Sequence, residues 1–310
     1  MNRGTRALLD AAIDYAGLFP PAELSMDGAV GRWLCHRRGP HGWMLARFVC
    51  PAARLDELAT ALSAAGAGDR PLPLVVLATS GDGLPERLDA DLAAAHAAAR
   101  HDSCLQPEVV EARVPDDDLA GAARAAAERI SSAGLVGFLE TSLLGAWESR
   151  VESLVGVLAA VRQVRAPGAP PVGLKIRCGG PAASAFPSVE AVAAAVVACR
   201  EAGIALKATQ GLHHPVSHRH PELGTHAFGF LNLIVAVAAA KVHCLDEPPL
   251  REILAETDPA AFELRDDGVA WRDLDVGLEG IAASRERGFA AFGSCSFSEP
   301  RDDLQALGHL

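Results

Sequence analysis

Gly173-Leu174-Lys175-Ile176-Arg177-Cys178-Gly179-Gly180 and Ile204-Ala205-Leu206-Lys207-Ala208-Thr209-Gln210-Gly211 each set a lysine in a short apolar run that closes on glycine. Both runs read as buried strands, and the stretch between them reads as a helix. Ser188 before Val189 and Glu190 fits an N-cap, with the glutamate near the positive helix end, and Gly203 is placed to stop the helix. Strand, crossover helix and parallel strand make one βαβ unit. Two neighbouring parallel strands then point two ammonium groups into one interior. Burying a lysine is costly, and burying two side by side is more so. The chemistry that rewards such an arrangement is amine catalysis, in which one cation lowers the pKa of its neighbour so that it can attack a carbonyl.

Outward from this unit the same rhythm repeats. Strand-like runs are predicted at Ala12–Phe19, Met44–Cys50, Leu72–Ala78, Glu108–Val114, Leu135–Glu140, Val172–Arg177, Ile204–Ala208 and Ala290–Cys295. Helices are predicted at Asp27–Leu34, Ala52–Ala65, Pro85–Arg100, Asp117–Ser131, Ser149–Val164, Ser188–Glu201 and Phe228–Val242. Eight strands alternating with helices predict an α/β fold, a (β/α)8 TIM barrel, as one domain over residues 1–310; an open doubly wound sheet is the competing arrangement. Residues 212–288 exceed one loop and one helix. They are expected to form a helical and hairpin insertion between strands seven and eight, with a helix at Pro249–Glu256, a hairpin over Phe262–Trp271 turning on Asp-Gly, and a helix at Val276–Arg287.

Composition narrows the function classes. A chain of 310 residues that is 50% hydrophobic has ample material for a core, and a net charge of −11 argues against nucleic acid or an anionic membrane surface as partner. A small anionic substrate remains compatible, because a basic site can sit on an acidic surface. No apolar run reaches the roughly 20 residues of a bilayer span, and Asp10 and Asp14 interrupt any signal core. Seven cysteines without a CxxC pair suggest reduced thiols and a cytoplasmic protein. Apolar insertion helices are compatible with a homo-oligomer.

In a barrel of this type, reacting groups lie at the carboxyl ends of the strands. That rule selects Asp14 and Tyr15, Glu111 and Arg113, Glu140 and Thr141, Lys175 and Arg177, Lys207 and Thr209 with Gln210, then His213 and His214, and finally Gly293-Ser294-Cys295-Ser296. Alternation puts Lys175 and Arg177 on one face and Lys207 and Thr209 on another. If these faces point inward, Asp14, Glu111 and Glu140 are the natural counter-charges. Either lysine alone would read as a salt-bridged or snorkelling strand end; two in equivalent frames favour a site.

His213, His214, His218 and His220 crowd one loop, with His226 following. His213 or His214 suits acid/base work or substrate contact, whereas His218 and His220 read as loop surface. Neighbouring His213 and His214 suit one metal poorly, and no HExxH pattern supports zinc. No cofactor is expected, although Glu140 with a histidine leaves a divalent cation open. Gly179, Gly180, Ser294 and Ser296 could offer N–H groups and hydroxyls to an anion, and Cys178 and Cys295 read as small buried apolar residues.

These residues resemble, as a diverged relative would, the deoxyribose-phosphate aldolase family of class I aldolase barrels. That family has a strand-one motif like Ile-Asp-His-Thr-Leu-Leu followed by Pro and Thr; this chain has Ile13-Asp14-Tyr15-Ala16-Gly17-Leu18-Phe19-Pro20-Pro21. Its Lys-Thr-Ser-Thr-Gly motif compares with Lys175-Ile176-Arg177-Cys178-Gly179, its Lys-Ala-Ser-Gly-Gly with Lys207-Ala208-Thr209-Gln210-Gly211, and its Phe-Gly-Thr-Ser-like end with Phe292-Gly293-Ser294-Cys295. The resemblance implies Lys175 as the imine-forming amine, Lys207 as the cation that lowers its pKa, and Asp14 or Glu111 in proton relay. Two departures redirect the substrate. Arg177 stands where the family has a small hydroxyl residue and suits a carboxylate, and Gly211-Leu212-His213-His214-Pro215 replaces the phosphate-gripping turn. The expectation is a lyase of class I aldolase type acting on a small anionic carbonyl compound such as a keto acid, with Glu140 or His213 moving protons and Thr209 and His214 in substrate contact. A metal-assisted hydrolase or lyase using Glu140 with His213 or His214, and a barrel that binds an acidic metabolite without turnover, are the alternatives.

Overall fold

A computed structural model describes residues 1–66, 71–80 and 84–310. The first seven strands in chain order are β1 (Ile13–Tyr15), β2 (Leu45–Pro51), β3 (Leu72–Leu77), β4 (Leu105–Arg113), β5 (Val136–Glu140), β6 (Val172–Arg177) and β7 (Leu206–Thr209). After them come the short pair β8 (His218–Arg219) and β9 (His226–Ala227), then β10 (Phe262–Arg265), β11 (Gly268–Trp271), β12 (Leu274–Gly277) and the last strand, β13 (Phe289–Ser294). Strands β1 to β7 and β13 close into one barrel in the order β1-β13-β7-β6-β5-β4-β3-β2, with parallel pairing at every joint. The fold is therefore the predicted (β/α)8 barrel, and the open sheet is excluded by the β1–β13 joint.

Helices α1 (Arg3–Leu9), α2 (Met26–Arg38), α3 (Leu55–Ala64), α4 (Leu84–His101), α5 (Leu119–Ser132), α6 (Trp147–Val164), α7 (Val189–Ala202), α8 (Phe230–His243), α9 (Glu247–Ala255), α10 (Leu278–Arg287) and α11 (Ser298–Ala306) accompany the strands. The caps read from sequence form: Ser188 Oγ accepts from Ala191 N at 3.2 Å, and Gly203 ends α7 with φ +63. Burial divides in two. The main core lies between the barrel wall and the helices, whereas Val49, Val75, Val109 and Phe138 make a separate plug inside the barrel. That plug is the floor on which the polar side chains of the mouth stand, as expected when inward residues stack in layers.

Between β7 and β13 the structure is richer than a helix and a hairpin. Residues 230–240 of α8 are all buried, as an apolar helix without a polar face must be; α7, α9 and α10 pack around it. The predicted hairpin is the first two strands of a three-stranded antiparallel sheet, β10-β11-β12. Its turn is Asp266-Asp267, not Asp-Gly, because Gly268 already pairs with Arg265. Helices α1 and α11 are additions: α1 packs on α10 and the β10–β11 pair, and α11 follows β13. The stretch 183–202 has the length and hydropathy of a bilayer-crossing helix, but only the 14 residues of α7 are α-helical, too few for a span of about 20, and they pack on α6 and α9.

Candidate active site

Register builds the site. Lys175 lies opposite Lys207 across β6–β7, and Glu140 lies opposite Lys175 across β5–β6. Parallel strands in this register hold all three side chains at one height above the apolar plug. Glu111 from β4 and Asp14 from β1 complete the ring. Lys175 Nζ is 2.6 Å from Glu111 Oε2 and 3.0 Å from Glu140 Oε2. Lys207 Nζ contacts Asp14 Oδ2 and Glu111 Oε1, and it also lies 5.8 Å from the centroid of the Phe138 ring beneath it. Glu111 thus bridges the two ammonium groups, one oxygen to each.

The exposures are 5% for Lys175 and 1% for Lys207, and all three carboxylates are buried. Two cations against three anions leave an excess negative charge, which Arg177 balances from the rim: its Nε is 2.5 Å from Glu140 Oε1 while its side chain stays 46% exposed. Arg47, reaching in from β2, stands 3.7 Å from Asp14 Oδ1 and holds Glu108 at 2.8 Å. Every buried charge therefore has an opposite partner, the condition under which such a cluster survives desolvation.

The protonation states follow. Burial presses Lys175 towards the neutral amine, but Glu111 and Glu140 together outweigh it, and its pKa stands above the ordinary lysine value. Burial likewise opposes the Glu111 anion, yet the Lys175 and Lys207 charges hold its pKa down at about 2. At rest Lys175 is an ammonium ion. The expectation that Lys207 depresses its pKa is corrected here, because Glu111 stands between the two and cancels the repulsion.

A cavity of about 100 Å³ opens over this ring, with Glu111, Lys175, Arg177, Thr209 and His213 among its lining residues. Lys207 is not among them. Only one of the two lysines therefore faces the space where a small molecule could sit. A larger chamber of about 560 Å³ lies next to it, lined by Gly180, Gly211, His213, His214, His218 and His220 among others.

The histidine loop is positioned by a single polar residue of the apolar helix α8. Asn232 accepts from Ser217 N at 2.8 Å and donates to Ile253 O at 2.7 Å and Glu256 O at 2.8 Å; Ser217 Oγ donates to Leu254 O at 2.8 Å. Two acids of α11 then orient the adjacent histidines. His213 Nδ1 lies 3.0 Å from Glu299 Oε2, and His214 Nδ1 lies 2.7 Å from Asp303 Oδ2. A carboxylate only accepts, so Nδ1–H donates in both, and Nε2 of His213 is left to take a proton.

Other predicted residues have local duties. Ser294 Oγ donates to Ser296 O at 2.6 Å, and Ser296 Oγ accepts from Glu299 N at the start of α11, so neither hydroxyl faces a ligand unpartnered. Gly179 and Gly211 bring the loops after β6 and β7 into contact: a Cβ on Gly211, whose φ is +71, would stand 2.9 Å from Cys178 O. Tyr15 points away from the site into a cluster with Trp33 and Phe48, and burial pushes its pKa up to about 12. Cys178 is fully buried, and burial pushes its pKa up to about 12 as well. His218 and His220, expected on the loop surface, are lining residues of the larger chamber. Gln210, selected with Thr209 at the end of the seventh strand, accepts from Arg177 Nη1 at 3.3 Å and holds a strained φ of +58.

Among the described residues no three His, Cys, Asp or Glu side chains are grouped to hold a metal ion. Glu140 is committed to Lys175 and Arg177, and His213 and His214 are hydrogen-bonded to acids of α11, so the donors of the metal-assisted alternative have separate partners. No protein-family model matches the chain, and no curated protein matches it. The functional reading therefore rests on the geometry.

Proposed function

We propose that the protein is a lyase of class I aldolase type that forms an imine between Lys175 and a small keto acid. One observation carries the reading: Lys175, alone of the two buried lysines, lines the inner cavity, and it does so between two carboxylates with a half-exposed guanidinium at the rim. An ammonium ion does not attack a carbonyl, so a proton must leave first. The Arg177–Glu140 contact supplies the trigger. A substrate carboxylate engages Arg177 and draws it from Glu140; Glu140, left with Lys175 as its one cation, takes the Lys175 proton.

The neutral Nζ adds to the keto carbon, and the carbonyl oxygen leaves as water. The resulting iminium accepts the electron pair of the breaking C–C bond, while His213 Nε2 takes the proton of the hydroxyl on the departing fragment. Protonation of the enamine and hydrolysis of the imine return Lys175. Lys207 remains outside the cavity, pairs with Asp14 and helps Lys175 to hold Glu111 as an anion.

Borohydride trapping tests the reading. Incubation with pyruvate and the reductant is expected to add one substrate-derived mass, mapped to the Lys175 peptide, and Lys175→Met is expected to abolish it. Unmodified Lys175 across a panel of keto acids and aldehydes would remove the proposal. A second reading draws on the same resting ammonium: Lys175 and Arg177 form an anion site, so that tight keto-acid binding without any trapped adduct would mark a barrel that binds and does not turn over.

A further inference from the structure

The inner cavity of about 100 Å³ is well below the roughly 300–1,000 Å³ of ordinary ligand pockets, whereas the outer chamber of about 560 Å³ falls within that range. Pro20, Gln210 and His213 line both, so the two spaces abut at the barrel mouth. A carbonyl and its carboxylate fill the inner space, and anything larger must extend into the outer one.

We propose that the outer chamber is a second substrate subsite, built for an uncharged ring-bearing tail. The proposal rests on the keto-acid reading for the head of the molecule; the chamber's own chemistry specifies the tail. No lysine or arginine is among its lining residues, while Glu222 and Glu299 are. Its histidines add no unmatched positive charge. His214 is matched by Asp303, and His220 Nδ1 accepts from Leu223 N at 3.3 Å. Burial lowers the pKa of His218, partly offset by its bond to the Val216 carbonyl. A phosphate or second carboxylate would meet acids and no compensating cation, a costly desolvation.

Flat faces are abundant instead. Phe186 and His220 meet edge to face with centroids 5.8 Å apart, and His214 and His218 do so at 4.7 Å. Pro21, Pro181 and Pro221 supply further rigid apolar wall. A ring inserted among such groups gains edge and face contacts and orders few side chains in doing so. The same walls that accept a ring reject a sugar phosphate.

The test compares pyruvate with two keto acids of equal length, one ending in phenyl and one in phosphonate, binding to the intact protein. Binding is read from the C2–H proton signals of His218 and His220, assigned through single His→Gln variants. The phenyl-tailed acid is expected to bind at least about 10-fold tighter than pyruvate, equivalent to ~1.4 kcal/mol, and to shift both signals. The phosphonate-tailed acid is expected to bind no tighter than pyruvate, and Phe186→Ala to erase most of the phenyl advantage. Tighter binding of the phosphonate, or a phenyl tail that brings no gain and moves neither signal, overturns the subsite. Borohydride is absent from this measurement, so failure of amine catalysis shows separately, as a compound that binds but leaves Lys175 unmodified when reductant is added.

Discussion

Glu140 divides its carboxylate between two cations of unlike exposure, Lys175 at the barrel interior and Arg177 at the rim, with Arg177 Nε 2.5 Å from Oε1. The buried partner cannot leave and the half-exposed one can. A ligand carboxylate therefore competes for Arg177 and not for Lys175, and the competition is felt at Lys175 through Glu140.

This gives Arg177→Ala opposite effects on two substrates. Losing a charge-assisted contact worth ~1.5–3 kcal/mol should slow trapping of pyruvate on Lys175 by about 10- to 100-fold. Acetaldehyde has no carboxylate to lose, and Glu140 released from Arg177 is already free to take the Lys175 proton, so its trapping should hold or rise. Measuring both rates at subsaturating concentration checks the point; an equal loss for the two compounds would mean that Arg177 only supports the fold.

Lys207 carries a larger share of stability than of chemistry. Lys207→Met strips one oxygen of Asp14 and one of Glu111 of their cation in a fully buried setting, leaving Asp14 only the longer Arg47 contact. Breaking a buried ion pair from one side costs about 3–5 kcal/mol. Adding Asp14→Asn to the variant removes one orphaned charge and should recover at least ~1 kcal/mol, a coupling visible in urea denaturation. Additive losses in the double variant would contradict the pairing.

The parts of this site that were legible in the sequence are those fixed by strand parity. The Lys175 and Lys207 frames predict a shared height because parallel strands advance in step, and Asp14, Glu111 and Glu140 follow as the acids the same height requires. Tyr15 follows the parity rule too: with Asp14 inward, its neighbour faces the helices. Arg47 was hidden because the β1–β2 pairing shifts register between Ile13 and Tyr15, and no pattern in the chain signals that irregularity. Gln210 gives no warning of its positive φ, a conformation that glycine or asparagine would have advertised. Glu299 and Asp303 did carry a usable signal. Their i,i+4 spacing sets two acids on one face of a helix after the last strand, ready for the adjacent His213 and His214.

Acid should unfold the chain partly through Glu111. Its folded pKa of about 2 lies below the ordinary 4.5, so between these values the folded chain binds fewer protons than the unfolded one. The stabilisation is present in full above about pH 4.5 and is lost as pH falls towards about 2, amounting to ~3 kcal/mol for a shift of this size. Lys175 has the opposite sign: its raised pKa stabilises the fold below its ordinary 10.5, and that contribution fades as pH rises beyond it. Urea midpoints across the acid limb should fall steeply for the native chain and more gently for Glu111→Gln. Parallel limbs would show that Glu111 is not held as an anion by the two lysines.

His213 can be separated from Lys175 by the step each serves. Imine formation requires the lysine, whereas moving protons to and from carbon or a hydroxyl requires a base, and a positioned histidine typically contributes about 100- to 10,000-fold to such a step. In deuterated water the methyl protons of pyruvate should exchange in the presence of the protein as imine and enamine interconvert. His213→Gln should slow that exchange at least ~100-fold while the borohydride adduct on Lys175 still forms. Glu299→Gln, which leaves the ring in place but removes the carboxylate at 3.0 Å from Nδ1, should slow the exchange by a smaller factor, because the ring loses the acceptor that orients it. Exchange unaffected by His213→Gln would hand the proton to Glu140, the carboxylate already in contact with Lys175.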